Sequence, residues 1–93
     1  MDKYKLKKAR NKIDQLDKSI FNLIKKRTII VKHMLTLKQF KNQIIDHKRI
    51  NEILKNIRKK SIKQKIDPTV TSRIWKAIIW GYVDFQKRNF KNK

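Results

Sequence analysis

Residues 23–40 read LIKKRTIIVKHMLTLKQF. Leu23, Ile24, Ile30, Val31, Met34 and Leu35 recur at the spacing of one helical face. No Gly or Pro interrupts them, so the stretch predicts the end of a long amphipathic helix. Two cations, Arg27 and Lys38, fall on the same stripe, where Leu or Ile is expected. A helix that breaks its own apolar seam twice with long cationic side chains has either let them snorkel to water or built them into an anion site.

Followed upstream, the seam continues through Ile13, Leu16 and Ile20. A first helix is therefore expected from about Lys5 to Gln39, followed by a loop over Phe40 to Ile45. Asp46 is placed to cap a second helix that carries Ile50, Ile53, Leu54 and Ile57 and fades in KKSIKQK. Asp67-Pro68 announces a third, with an N-cap followed by Pro at the first helical position. It carries Val70, Ile74, Trp75, Ile78, Ile79, Tyr82, Val83 and Phe85, then frays into RNFKNK. The expected class is all-α, with residues 1–93 as a single domain.

The first helix is too long for a compact monomer. About 34 residues at 1.5 Å rise span about 50 Å, against a diameter of about 32 Å for a globule of this size. Covering the seam calls for a second chain, and an intertwined homodimer does so by using one patch twice.

Composition narrows the function classes. The chain has no Cys, so it has no disulfide or thiolate metal site. The N-terminal MDKYKLKKAR has no apolar stretch behind it, and no run is long enough to cross a bilayer. A cytoplasmic protein with no membrane role is the expectation. The formal charge of +20 suggests nucleic acid, but Lys outnumbers Arg 21 to 6 and the cations run along the whole chain. Nucleic acid is therefore not the expected partner, and a basic helical nucleic-acid-binding module stands as the second alternative.

The cations of the seam argue for a small anion. Arg27 and Lys38 are eleven residues apart, about 20° from the same helical azimuth and about 16 Å along the axis. Arg10 opens the seam but lies about 25 Å from Arg27, too far for one ligand within one chain. Arg49 precedes the apolar positions of the second helix. Gln86 closes the four-residue series Ile74, Ile78, Tyr82 in the third. Gly81 costs the third helix about 1 kcal/mol against Ala, and either tight packing or a close ligand approach would explain it. His33 and His47 are isolated, Glu52 is the one Glu, and no nucleophile stands beside a base. Such a set suits a polyanionic substrate and chemistry by positioning and charge stabilisation rather than proton transfer.

These residues resemble the type II, all-helical chorismate mutase family over about residues 6–90. The matching stretches are ARNKIDQLDKSIFNLIKKRTIIVKHMLTLK, IIDHKRINEIL and DPTVTSRIWKAIIWGYVDFQ. The resemblance implies an intertwined homodimer of three-helix subunits, in which each site takes its first Arg from the other subunit. It implies that Arg10 and Arg27 clamp substrate carboxylates. Lys38 and Gln86 would be the catalytic pair at the ether oxygen, with Arg49 assisting and Asp46 contacting substrate through its backbone. Two positions depart from the mutase pattern. Ile50 stands where a Glu usually bonds the chorismate hydroxyl, and Tyr82 where a small hydroxyl residue is common. Both are similar to the isochorismate pyruvate lyase branch, as are the spacings of 17, 11, 11 and 37 residues between Arg10, Arg27, Lys38, Arg49 and Gln86. The resemblance therefore implies isochorismate pyruvate lyase, forming salicylate and pyruvate without cofactor or metal, with side mutase activity. Chorismate mutase is the alternative.

Overall fold

In a computed structural model of the chain, residues 2–91 are described. Among them are three α-helices and no strand: α1 (Lys3–Leu37), α2 (His47–Lys63) and α3 (Pro68–Asn89), with a 3-10 turn at Lys41–Gln43. No helix among the described residues is long and apolar enough to cross a membrane. The chain divides into two compact units, and the division falls within α1, between Val31 and Lys32.

The unit before the division is helix alone. It starts at Lys3, two residues earlier than the apolar pattern suggests, because the Asp2 carboxylate accepts the Lys5 backbone N–H at 3.0 Å. That is the N-cap interaction, which satisfies a donor the first turn leaves orphaned. Ile13, Leu16, Ile20 and Leu23 form the expected seam, and each is more than half exposed. Val31, at the end of this unit, is buried.

The second unit holds the helix pair. α2 packs on α3, and Ile50, Ile79 and Val83 supply buried apolar side chains. Both caps read from the sequence are present. Asp46 accepts the Arg49 N–H at 3.0 Å, and Asp67 accepts the Thr69 N–H at 2.8 Å with Pro68 at the first helical position. α1 ends at Leu37 rather than Gln39, and the expected loop contains a 3-10 turn. The side-chain oxygen of Gln43 accepts the backbone N–H groups of Gln39 and Phe40, at 2.7 and 2.9 Å. Ile44 anchors this loop and is only 4% exposed. At the other end of the pair, Ser61 and Thr71 hydroxyls meet at 2.7 Å and join α2 to α3.

One expectation needs correction here. α2 does not fade in KKSIKQK but runs through Lys63 and closes with a defined motif. The Ile66 N–H donates to the Ser61 carbonyl at 2.8 Å and the Lys65 N–H to the Ile62 carbonyl at 3.2 Å, the paired bonds of a Schellman cap. Lys65 takes φ 58°, the left-handed position that Gly usually fills. The third helix ends at Asn89, inside the RNFKNK stretch where fraying is expected, with Phe90 in extended backbone and Asn92 and Lys93 outside the described residues.

Lys65 carries a Cβ in a backbone region that costs an L-residue about 1–2 kcal/mol. Lys65→Gly is therefore expected to raise stability by about 1 kcal/mol, against the extra flexibility Gly gives the unfolded chain. The check is a higher urea midpoint at unchanged slope.

Candidate active site

Lys38 follows the last residue of α1, and its N–H closes the helix on the Leu35 carbonyl at 3.2 Å. The eleven-residue register with Arg27 assumed helix through Lys38. The helix stops one residue short, so the loop held by Gln43 and Ile44, not helical azimuth, positions the ammonium. Its Nζ donates to Oε1 of Gln86 at 2.7 Å, across 48 residues of sequence. Gln86 Nε2 donates in turn to the Tyr82 carbonyl at 3.3 Å.

The orientation of the Gln86 amide follows from its neighbours. An ammonium only donates and a carbonyl only accepts, so Oε1 must face Lys38 and Nε2 must face Tyr82. Gln86 is buried at 8% exposure, and leaving either end unpaired would cost about 1–3 kcal/mol. The ammonium keeps two N–H donors beyond the one given to Gln86, and the amide keeps one beyond that given to Tyr82. Two adjacent groups with donors to spare can stabilise negative charge developing on one oxygen.

Burial pushes the Lys38 ammonium below its ordinary value, and the negative charge of Asp46 works in the opposite direction. Asp46 itself is fixed by capping α2 through Arg49 N. The Arg49 guanidinium lies 3.7 Å from the Glu52 carboxylate on the exposed side of α2. Glu52 is thus the partner of Arg49, a role that its i,i+3 spacing allows and that the sequence pattern alone did not assign.

Ile50 is among the buried apolar residues. Its first claim is on the core between α2 and α3, and burial alone accounts for an aliphatic side chain there. The Tyr82 ring meets Phe85 edge-on, with centroids 6.4 Å apart and planes at 87°. The series Ile74, Ile78, Tyr82 and Gln86 is not one stripe. Four-residue steps drift by about 40° each, so Ile74 is exposed, Ile78 and Tyr82 are half-buried and Gln86 is buried. Around Gly81, an added Cβ would meet nothing within 4 Å. Packing within the described chain therefore does not account for that glycine.

Arg10 and Arg27 belong to the helical unit before the division; Arg10 is exposed and Arg27 half-buried. Both His33 and His47 are exposed. No group of three or more His, Cys, Asp or Glu among the described residues is arranged to hold a metal ion. The candidate residues that the structure brings together are thus Lys38, Gln86 and Tyr82, with Asp46 acting on Lys38 and preceding Arg49 and Ile50 on α2. Sequence reasoning missed Gln43 and Ile44, which fix the loop behind Lys38. The Gln43 signal was present as a polar residue three positions after Phe40, the capping-box offset.

The profile of the chorismate mutase type II family matches residues 9–87. The chain belongs to that family. The match includes every candidate residue, from Arg10 to Gln86, and its description names the mutase family rather than the lyase branch. No curated protein and no solved structure gives a match. Membership supports an enzyme of chorismate-type pericyclic chemistry acting on a small substrate.

Turnover by this family's chemistry should need Lys38 charged. Its folded-state value lies below 10.5, so activity is expected to fall with rising pH before an ordinary lysine would titrate. The stability effect has the opposite sign. The folded state binds fewer protons than the unfolded one between the two values, so the cost of holding Lys38 charged is relieved as pH rises through that window. Lys38→Arg stays charged throughout, since a guanidinium does not titrate below about pH 12, and should remove the alkaline limb. A pH–rate profile of both proteins is the check.

Proposed function

We propose that this chain is a pericyclic enzyme that rearranges or cleaves a chorismate-type dianion at its ether C–O bond. The observation that carries the reading is the hydrogen bond between Lys38 and the buried Gln86. As the C–O bond breaks, negative charge collects on the ether oxygen. The spare donors of Lys38 and Gln86 are the groups to receive it, and fixed donors in a partly desolvated place stabilise such charge without reorganising. The substrate carboxylates are assigned to Arg10, Arg27 and Arg49. The remaining barrier reduction comes from holding the substrate in its folded reactive conformer.

Two reactions suit these groups. The family description favours chorismate to prephenate, in which a C–C bond forms as the C–O bond breaks. The absence of an acceptor at Ile50, together with Tyr82, favours the second reading: hydrogen transfer with C–O cleavage, giving salicylate and pyruvate from isochorismate. A substrate hydroxyl left against an apolar wall costs about 1–3 kcal/mol, and chorismate and isochorismate carry that hydroxyl on different ring carbons. Purified protein should be assayed with both substrates side by side. Lys38→Ala is expected to lower turnover of the preferred substrate by about 10²–10³ with helicity retained. Prephenate without salicylate would leave the mutase reading alone, salicylate as the faster product would establish the lyase reading, and no turnover of either would defeat both.

Assembly is part of the proposal. Ile13, Leu16, Ile20 and Leu23 lie on one face of α1 and are 55–63% exposed, a contiguous apolar stripe of the kind that marks an interface. A homodimer would cover it, and would let Arg10 serve the site of a second copy. Sedimentation is expected to give about twice the chain mass of 11.4 kDa. A helical species at the single-chain mass would remove the homodimer and the sharing of Arg10.

A further inference from the structure

We propose that the outward face of α2 is a docking surface for the phosphate backbone of duplex nucleic acid. This proposal is independent of the pericyclic activity. The sequence shows cations scattered along the chain; on α2 all seven are exposed, four lysines forming one row with Arg49, Arg58 and Lys60 on its flanks. Ile50, Ile53, Leu54, Ile57 and Ser61 are buried or half-buried and point inward. Lys48, Lys55, Lys59 and Lys63 are all exposed and fall within about 80° of arc on the opposite side at 100° per residue. They run about 22 Å along the helix, with the last three about 6 Å apart. The acid on this helix, Glu52, falls within the same arc between Lys48 and Lys55 and is paired with Arg49 at 3.7 Å; Lys59 and Lys63 have no acid three or four residues away on α2 and form the uncompensated end of the row.

The chemistry of that face selects the partner. Binding to an anionic membrane by a surface helix needs an apolar face to insert, and the apolar face of α2 is taken by α3. Ile62 is the one exposed large apolar residue of α2. Protein interfaces are depleted in Lys and use aromatic or Arg anchors, which this stripe lacks. Lys binds phosphate as a point charge, more weakly than an Arg fork, so a row of lysines can follow a line of phosphates without reading base sequence.

The test uses the full chain and a labelled 20-base-pair duplex of arbitrary sequence, followed by fluorescence anisotropy at 50 and 200 mM salt. Binding is expected at 50 mM salt, with micromolar strength and a steep decline as salt rises. The triple variant Lys55→Glu, Lys59→Glu, Lys63→Glu should bind at least tenfold more weakly. Its slope of log affinity against log salt should be shallower by about 3, close to one unit for each phosphate no longer neutralised. The control, Arg73→Glu, Lys76→Glu, Lys87→Glu, lowers the formal charge equally on exposed positions of α3 and should weaken binding less than threefold. Circular dichroism establishes that both variants fold. If the glutamates melt α2, glutamines at the same three positions should reproduce the ordering with a smaller loss. Equal losses from α2 and α3 would mean a diffuse effect of net charge and overturn the docking surface. So would no binding at 50 mM salt, or binding to vesicles with 30% anionic lipid but not to the duplex.

Discussion

A primary amide that is 8% exposed on α3 has to be satisfied at both ends, and Lys38 is what satisfies the oxygen of Gln86. That constraint organises the second unit. It requires the chain leaving α1 to present an ammonium 2.7 Å from α3, and therefore requires the connection after α1 to be held in one shape. Gln43 holds it by accepting two backbone N–H groups, and Ile44 by being the least exposed of the buried apolar residues. The same hydrogen bond fixes which way the amide faces, because neither neighbour can exchange donor for acceptor. Structural economy and candidate chemistry thus coincide: the groups that satisfy the buried amide are those left with donors to offer a third oxygen.

The parts of the fold that sequence reveals are those governed by local rules. Asp46 and Asp67 each cap a helix, and both were legible because a short acceptor before an apolar run has one favourable use. Pro68 reinforced the second. The C-terminus of α2 was illegible for the complementary reason. Its cap rests on Lys65 in a left-handed conformation, and a Lys at that position carries none of the signal that Gly would. The start of α1 was missed because the apolar pattern begins after the Asp2 cap. The end was missed because Lys38 and Gln39 continue the helical charge pattern while their backbone groups turn to Leu35 and Gln43.

The candidate site divides along the same line. Lys38, Arg49 and Gln86 could be picked out as polar residues interrupting apolar series, and the family match includes all three. The pairing of Lys38 with Gln86 could not be, since 48 residues separate them and only the packing of helices brings them together. The Arg49–Glu52 pair, by contrast, follows from i,i+3 spacing on one helix and needs no tertiary packing. The pattern on α3 misled in a specific way: equal four-residue spacing looks like one stripe, yet its drift carries the series from exposed Ile74 to buried Gln86.

Ile50 shows why specificity is hard to read from one position in so small a protein. Among the described residues the buried apolar set is Val31, Ile44, Ile50, Ile79 and Val83. A residue in a set of that size serves the core before it serves a substrate. Replacing it by Glu would bring an acceptor to the α2 side of the site, and would also remove an aliphatic group from the packing of α2 on α3 and bury a carboxylate. A loss of activity on such a change has two physical sources. They separate because core damage lowers stability and the turnover of any substrate together, whereas a restored hydroxyl hydrogen bond changes the ratio between two substrates. The ratio, not the absolute rate, is therefore the quantity that reports what the wall of this site selects.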